Sequence, residues 1–211
     1  DSPSSITVLH AKTGETIWQK KRDEPSCWAT PIVVEHEGTE QLITNAHNRV
    51  RSYDLASGDL IWECGGQVSN VTPSPVSDGE AVYCMSGYRG SSAMALPLDA
   101  TGDITGSNQI RWSKSRGTPY VPSPILYDGL LYFNQRNDAI LTCLDAKTGE
   151  AVIGRTRMPG IRGVYASPVG AADRVYYVGR DGVTLVLEKG PEFKVLATNT
   201  LAEPIDATPA L

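Results

Sequence analysis

A chain of 211 residues with 40% hydrophobic and 20% charged side chains carries enough apolar material for a core and is not of disordered composition. Its formal net charge of -5 argues against a nucleic-acid partner, which needs a basic face. No apolar run approaches the roughly 18 residues of a transmembrane helix, and the four cysteines, at 27, 64, 84 and 143, do not make a disulfide framework in a chain this size.

The predicted elements begin with a hairpin over residues 4–20, which reverses at Ala11-Lys-Thr-Gly14. Gly is needed there because the chain turns through a positive φ that a Cβ opposes. Residues 30–65 then form one complete unit. Its apolar runs, Ile32–Val34, Leu42–Ile43, Val50–Tyr53 and Leu60–Trp62, are separated by Glu37-Gly38, Asn48 and Ser57-Gly58. Runs this short and this rich in β-branched and aromatic residues read as a four-stranded antiparallel meander. The next unit, 72–115, turns at Asp78-Gly79 and continues in Ala81-Val-Tyr-Cys84. It then departs into the long stretch GYRGSSAMALPLDATGDITGSNQIRW, read as a solvated loop that widens the turn before Trp112. Asp99, Asp103 and Asn108 in that loop lack the spacing of a calcium loop, so no metal site is expected. The unit at 122–157 is regular, with Ile153 in the place of the repeat Trp, and the unit at 166–202 has Lys189-Gly-Pro-Glu192 as its final turn, with no Trp after it. Thr208-Pro209-Ala-Leu211 is expected to begin one further inner strand.

The units are copies of one pattern. A Ser/Thr-Pro pair opens each, at Thr30, Ser74, Ser123, Ser167 and Thr208. An Asp-x-x-Thr/Ser-Gly turn follows, as Asp54 to Gly58 and Asp145 to Gly149, with Asp99-Ala-Thr-Gly102 shortened and His10 in the Asp position of the first copy. Trp18, Trp62 and Trp112 come after the Gly turn. A period of about 40–45 residues with four strands per unit is the signature of propeller blades. The expected fold is therefore all-β, a β-propeller of four-stranded antiparallel blades, with about four complete blades and a partial blade at each end. The tryptophans are assigned to docking between blades: a flat side chain on the outer strand fills the wedge between neighbours. His10 is expected to replace the Asp as a turn cap, and Glu35, Glu37 and Glu40 to line a solvated hairpin.

These turns, above all Asp54-Leu-Ala-Ser-Gly58-Asp-Leu-Ile-Trp62 and Asp145-Ala-Lys-Thr-Gly149-Glu150, resemble the Ala-x-Asp-x-x-Thr-Gly-x-x-x-Trp repeat of pyrroloquinoline-quinone (PQQ)-type β-propellers. That family contains both quinoprotein dehydrogenases and an outer-membrane assembly lipoprotein. The resemblance implies an exported protein, periplasmic or at the cell surface. It implies either a non-catalytic scaffold that binds a protein or peptide, or part of a PQQ- and Ca²⁺-dependent alcohol or sugar dehydrogenase. Such dehydrogenases carry an adjacent Cys-Cys pair, and this chain has none. No cofactor is expected on the scaffold reading, and no catalytic residue is assigned. Asp206 and Asp173 are the nominees for a base on the alternative.

The sequence also offers a surface. Residues just before the Ser/Thr-Pro pairs lie near one mouth of the propeller channel: Trp28, Asn70, Tyr120, Arg162, Tyr165 and Asp206. Aromatic and polar groups converging on a concavity suit a ligand or peptide. Cys84 and Cys143 fall within strands as buried thiols, while Cys27 and Cys64 lie in connections where their pairing is open. Because the first unit shows only its last two strands and the last only its first, the chain reads as a piece of a longer propeller, with self-association through open blade edges as a further expectation.

Overall fold

The structure is a computed structural model and describes residues 4–211. Every element among them is a β-strand. A hairpin of β1 (Ser4–Leu9) and β2 (Thr16–Arg22) precedes the first complete sheet, β3 (Ile32–His36), β4 (Thr39–Asn45), β5 (Arg49–Asp54) and β6 (Leu60–Gly65). The second holds β7 (Val76–Ser77), β8 (Ala81–Ser86), β9 (Ser92–Pro97) and, after the two-residue strand β10 (Gly102–Asp103), β11 (Trp112–Lys114). The third is β12 (Ile125–Tyr127), β13 (Leu130–Asn134), β14 (Ile140–Asp145) and β15 (Ala151–Arg157), and the fourth β16 (Val169–Ala171), β17 (Arg174–Val178), β18 (Val183–Glu188) and β19 (Val195–Thr200). Within each blade the strands pair with their sequence neighbours in antiparallel register, so each is a meander. The first two strands of a blade are joined by tight turns such as Asp128-Gly129, whose φ values of 49° and 76° give the twist a hairpin needs.

The core lies between the blades. A blade's middle strands are covered on both faces, so alternate residues serve opposite interfaces. On β8, Val82 and Cys84 face the first blade's Ile43, Val50 and Trp62, while Tyr83 and Met85 face the third blade's Leu131, Phe133 and Leu144. Every residue of β8 and β9 is buried, which is why these strands read as continuous apolar runs rather than alternations. Tyr132, Cys143 and Ile153 pack likewise on Val175, Tyr177 and Leu185 of the fourth blade, and Ile6 and Trp18 of the first hairpin pack on Leu42 and Tyr53.

Two expectations are corrected. The departure after Cys84 is shorter than the sequence suggests, because Ser92-Ala-Met-Ala-Leu-Pro97 within it is the third strand, its small side chains fitting between two neighbouring blades. The segment after β9 is not merely solvated: β10 adds a parallel strand to β6 of the preceding blade, pairing Gly102 with Trp62, and Ile104 is fully buried there. Residues 208–211 form no strand, yet Thr208 still bonds the preceding blade through its hydroxyl.

The Ser/Thr-Pro pairs form a belt across the blades. The N–H of Thr30 donates to Ser74 Oγ (3.2 Å), Ser74 N–H to Ser123 Oγ (3.0 Å), Ser123 N–H to Ser167 Oγ (2.9 Å) and Ser167 N–H to Thr208 Oγ1 (3.0 Å). Each hydroxyl satisfies a backbone donor that no strand pairs, and the Pro after it fixes φ and adds no donor of its own.

Candidate functional site

The meander fixes which loops share a face. Connections leading into each first strand, and loops between second and third strands, emerge together; the remaining turns emerge on the opposite face. The surface residues expected from sequence all lie on the connections of the first of these faces, where backbone hydrogen bonds stitch connections to loops. Tyr120 N–H donates to Arg136 O (3.2 Å), Arg136 N–H to Thr118 O (2.8 Å), Val164 N–H to Asn137 O (2.9 Å) and Arg180 N–H to Gly163 O (2.8 Å). Buried polar side chains hold the same loops. Asn45 Nδ2 donates to Pro73 O and Met85 O, both at 2.9 Å, and Thr118 Oγ1 to Ser86 O at 2.7 Å.

The expected residues fall into three groups along this face. Trp28, 71% exposed, lies on the segment whose N–H bonds Val71 O, next to Asn70, whose Oδ1 accepts from Ser26 Oγ. Tyr120 packs against Tyr88 with the rings tilted at 30° and their centroids 5.0 Å apart, and the Arg89 guanidinium lies 5.2 Å above the Tyr88 ring. Tyr165 carries the Arg180 guanidinium 3.9 Å over its ring, and Arg180 binds Asp206 through two hydrogen bonds of 2.6 and 3.1 Å. Arg162 is exposed beside Gly163, to whose carbonyl Arg180 is tied. Sequence reading missed Tyr88, Arg89 and Arg180. Their signal was a Tyr-Arg pair between two glycines, and an Arg-Asp-Gly turn, each between a second and a third strand.

The carboxylates nominated as bases are engaged by cations. The hydrogen bond from Arg180 holds Asp206 below the usual carboxylate range, and Lys189 does the same to Asp173 from 2.8 Å. Both are thereby weak bases near neutral pH. Among the described residues no three His, Cys, Asp or Glu side chains converge as metal ligands. Asp103, one of the loop carboxylates, is taken up by Thr105 and by Arg49 at 3.1 Å. The four cysteines are free thiols. Burial raises Cys143 to about 12 and Cys64 to about 11, so neither is a ready nucleophile.

A second polar region lies at the outer rim between β2 and β5–β6, beside a cavity of about 610 Å³. Arg51, nearly buried, meets Glu24, Asp23 at 2.7 Å and Glu63 at 2.8 Å; Arg22 meets Glu24 at 2.7 Å. Burial opposes the charge of Arg51, but the surrounding carboxylates more than reverse this and keep it protonated. Asp23 is lowered in turn by Arg51. Opposite charges face one another here, so this is an ionic clamp between the first hairpin and the first blade.

The tryptophans divide. Trp18 Nε1 donates to Leu55 O and Trp112 Nε1 to Ala146 O, each at 2.8 Å, and each indole lies on the Gly of the next blade's turn, Gly58 or Gly149. Trp62, fully buried, donates instead to Gln41 Oε1 (3.2 Å), beneath the strand that β10 adds. Where Ile153 replaces Trp, the Tyr132 hydroxyl takes over the link, accepting from Gly190 N–H at 3.0 Å. His10 caps its turn as expected, accepting from Thr13 N–H at 3.3 Å where Asp54 and Asp145 accept from Ser57 and Thr148.

Among curated proteins none matches the chain by sequence. Solved structures match its fold. BamB from Moraxella catarrhalis is 19% identical with a TM-score of 0.64, over 92% of this chain and 55% of that one. Quinohemoprotein alcohol dehydrogenases from Comamonas testosteroni (14% identity, TM-score 0.62) and Pseudomonas putida (13%, 0.65) match over 93% and 94% of this chain, and over 40% and 39% of their own. The chain thus spans about half, or less, of the length of these structures. Residues 1–153 match the family model described as outer membrane protein assembly factor BamB. With that match over most of its length, and with blades built on the Asp-x-x-Thr-Gly turn, the chain belongs to the BamB-like family of PQQ-type repeat proteins.

Proposed function

We propose that this chain is a non-catalytic binding scaffold of an exported protein, docking a protein or peptide on the face that carries Tyr120, Arg162 and Tyr165. One observation carries the reading. Connections and loops of successive blades carry aromatic and arginine side chains on one face, while the nominated bases Asp173 and Asp206 are held in ion pairs. Binding needs such rigid, partly exposed aromatic anchors; proton abstraction needs a free base in a closed site. The family, whose description is an outer-membrane assembly factor, supports a role in the envelope. Self-association is proposed with it, because β19 is exposed along its whole length and presents an unpaired edge.

The rival reading, part of a quinone-dependent dehydrogenase, draws on the fold shared with the two alcohol dehydrogenases. Calorimetric and absorbance titration with PQQ and Ca²⁺ separates the two. The scaffold reading expects no saturable heat and no spectral shift, and micromolar saturable binding would overturn it.

A further inference from the structure

We infer that the partner presents an acidic polypeptide segment to this face: Arg89, Arg136 and Arg162 pair with its carboxylates, and Tyr88, Tyr120 and Tyr165 pack against it. The inference rests on the scaffold reading and gives the partner its chemistry. The three arginines are exposed, and among the described residues none lies within ion-pair distance of a carboxylate. Several other arginines are matched internally: Arg180 by Asp206, Arg49 by Glu63 and Asp103, Arg51 by Glu63. Matched guanidiniums stabilise the fold. Unmatched ones on one face are available to a partner.

Ring contacts and backbone hydrogen bonds link the loops that carry these residues. Arg89 lies over Tyr88, Tyr88 packs at a tilt against Tyr120, Tyr120 is bonded through its N–H to Arg136, Asn137 accepts from Val164 beside Tyr165, and Arg162 precedes Gly163, the acceptor for Arg180. Arg89 and Arg136 also hold positive φ values of 51° and 47°. Gly or Asn takes that conformation with less strain, so long cationic side chains there run against the backbone preference.

Charge is distributed against this surface. On the opposite face the tight turns and outer turns carry Glu37, Asp78, Asp99, Asp128, Glu150 and Asp173. The candidate face carries carboxylates too, at Asp138, Asp181, Glu203 and Asp206, but fewer of them, so Arg89, Arg136 and Arg162 stand on the less acidic side of a molecule of formal net charge -5. A long polyanion such as nucleic acid would gain little, since its many phosphates reach past the arginines to a body that repels them. A short acidic peptide can meet the arginines without reaching that body. Arg and Tyr are also the side chains that protein interfaces favour, the guanidinium binding carboxylates in a fork and the phenol packing at low entropic cost.

Fluorescence anisotropy tests this with a fluorescein-labelled peptide of Glu, Asp, Tyr and Gly, its lysine-for-acid counterpart, and single-stranded DNA of equal length. The acidic peptide is expected to bind saturably and to weaken as salt screens the contacts. The triple variant Arg89→Glu, Arg136→Glu, Arg162→Glu is expected to lose at least about tenfold in affinity. The same charge change on the opposite face, Lys12→Glu, Lys147→Glu, Arg174→Glu, is expected to change it by less than about twofold. Arg162→Glu alone, expected to weaken binding in the same direction, serves as the readout if the triple variant fails to fold. No saturable binding, equal binding of the lysine peptide, tighter binding of DNA, or equal losses in the two triple variants would overturn the inference. Failure of the scaffold reading is read separately, as quinone binding in the titration with PQQ and Ca²⁺.

Discussion

Gly58 and Gly149 each meet two demands at once. Both hold a positive φ, 74° and 71°, and a Cβ on either would lie 2.6 to 2.7 Å from the indole of the preceding unit. Gly14 holds the same φ of 74° with nothing within 4 Å. Comparing the sites separates backbone strain from steric exclusion. Gly14→Ala is expected to cost about 1 kcal/mol, from conformation alone. Gly58→Ala or Gly149→Ala should cost about 2–4 kcal/mol, because the indole must also leave its seat. Denaturant unfolding measures both; equal costs would mean that the Trp contact adds nothing. The belt offers a second residue-scale test. Ser123→Ala removes the acceptor for the Ser74 N–H and is expected to destabilise by about 1–2 kcal/mol, while Ser123→Thr retains the hydroxyl and most of the stability.

At the scale of elements, the segment after β9 shows what a linear reading resolves and what it does not. Its polar composition, Asp-Ala-Thr-Gly-Asp-Ile-Thr-Gly, reads as a solvated loop, but Ile104 enters the interface beneath β6 and Thr105 Oγ1 accepts from Gly65 N–H at 2.7 Å. Asp103 anchors it. Hydrogen bonds from Thr105, first through the side chain and then the backbone, with Arg49 adding to them, lower its carboxyl from 3.8 to about 2. A depressed carboxyl contributes stability that is complete above its unfolded pKa and lost as pH falls through the folded one. The docking of β10 is therefore expected to weaken between about pH 4 and pH 2. Asp103→Asn should flatten that part of the stability–pH curve relative to the unaltered protein. An unchanged slope would mean that Asp103 does not hold the segment.

The repeat itself was legible because strand lengths, turn glycines and the Ser/Thr-Pro pairs are local marks. The partners of those marks were not, since each belt hydroxyl bonds a backbone 41 to 49 residues away. The same limit explains Trp62. Its place in the repeat matches that of Trp18, and only the added strand β10 and the buried Gln41 set its environment apart. On the candidate face, the residues before each Ser/Thr-Pro pair were legible from the repeat. Tyr88, Arg89 and Arg180 were not, because they come from loops between second and third strands and only the folding of the meander and the packing of neighbouring blades place them beside Tyr120 and Tyr165.

For the whole molecule, stacking blades creates two unlike faces. One gathers tight turns rich in carboxylates, capped by their own backbone N–H groups, as at Asp54 and Asp145, whose carboxyls are lowered by those bonds. The other gathers connections and loops that carry partly exposed tyrosines and unmatched arginines. The central claim is that the second face is the working surface of a scaffold. Site-specific photo-crosslinking in the cell envelope tests it most directly, with a photoreactive residue placed at Tyr88, Tyr120 or Arg162, or at Glu37, Asp99 or Glu150 on the opposite face. The account predicts one discrete adduct from the first three positions and none from the other three. An adduct from the carboxylate-rich face alone, or equal adducts from both, would contradict it.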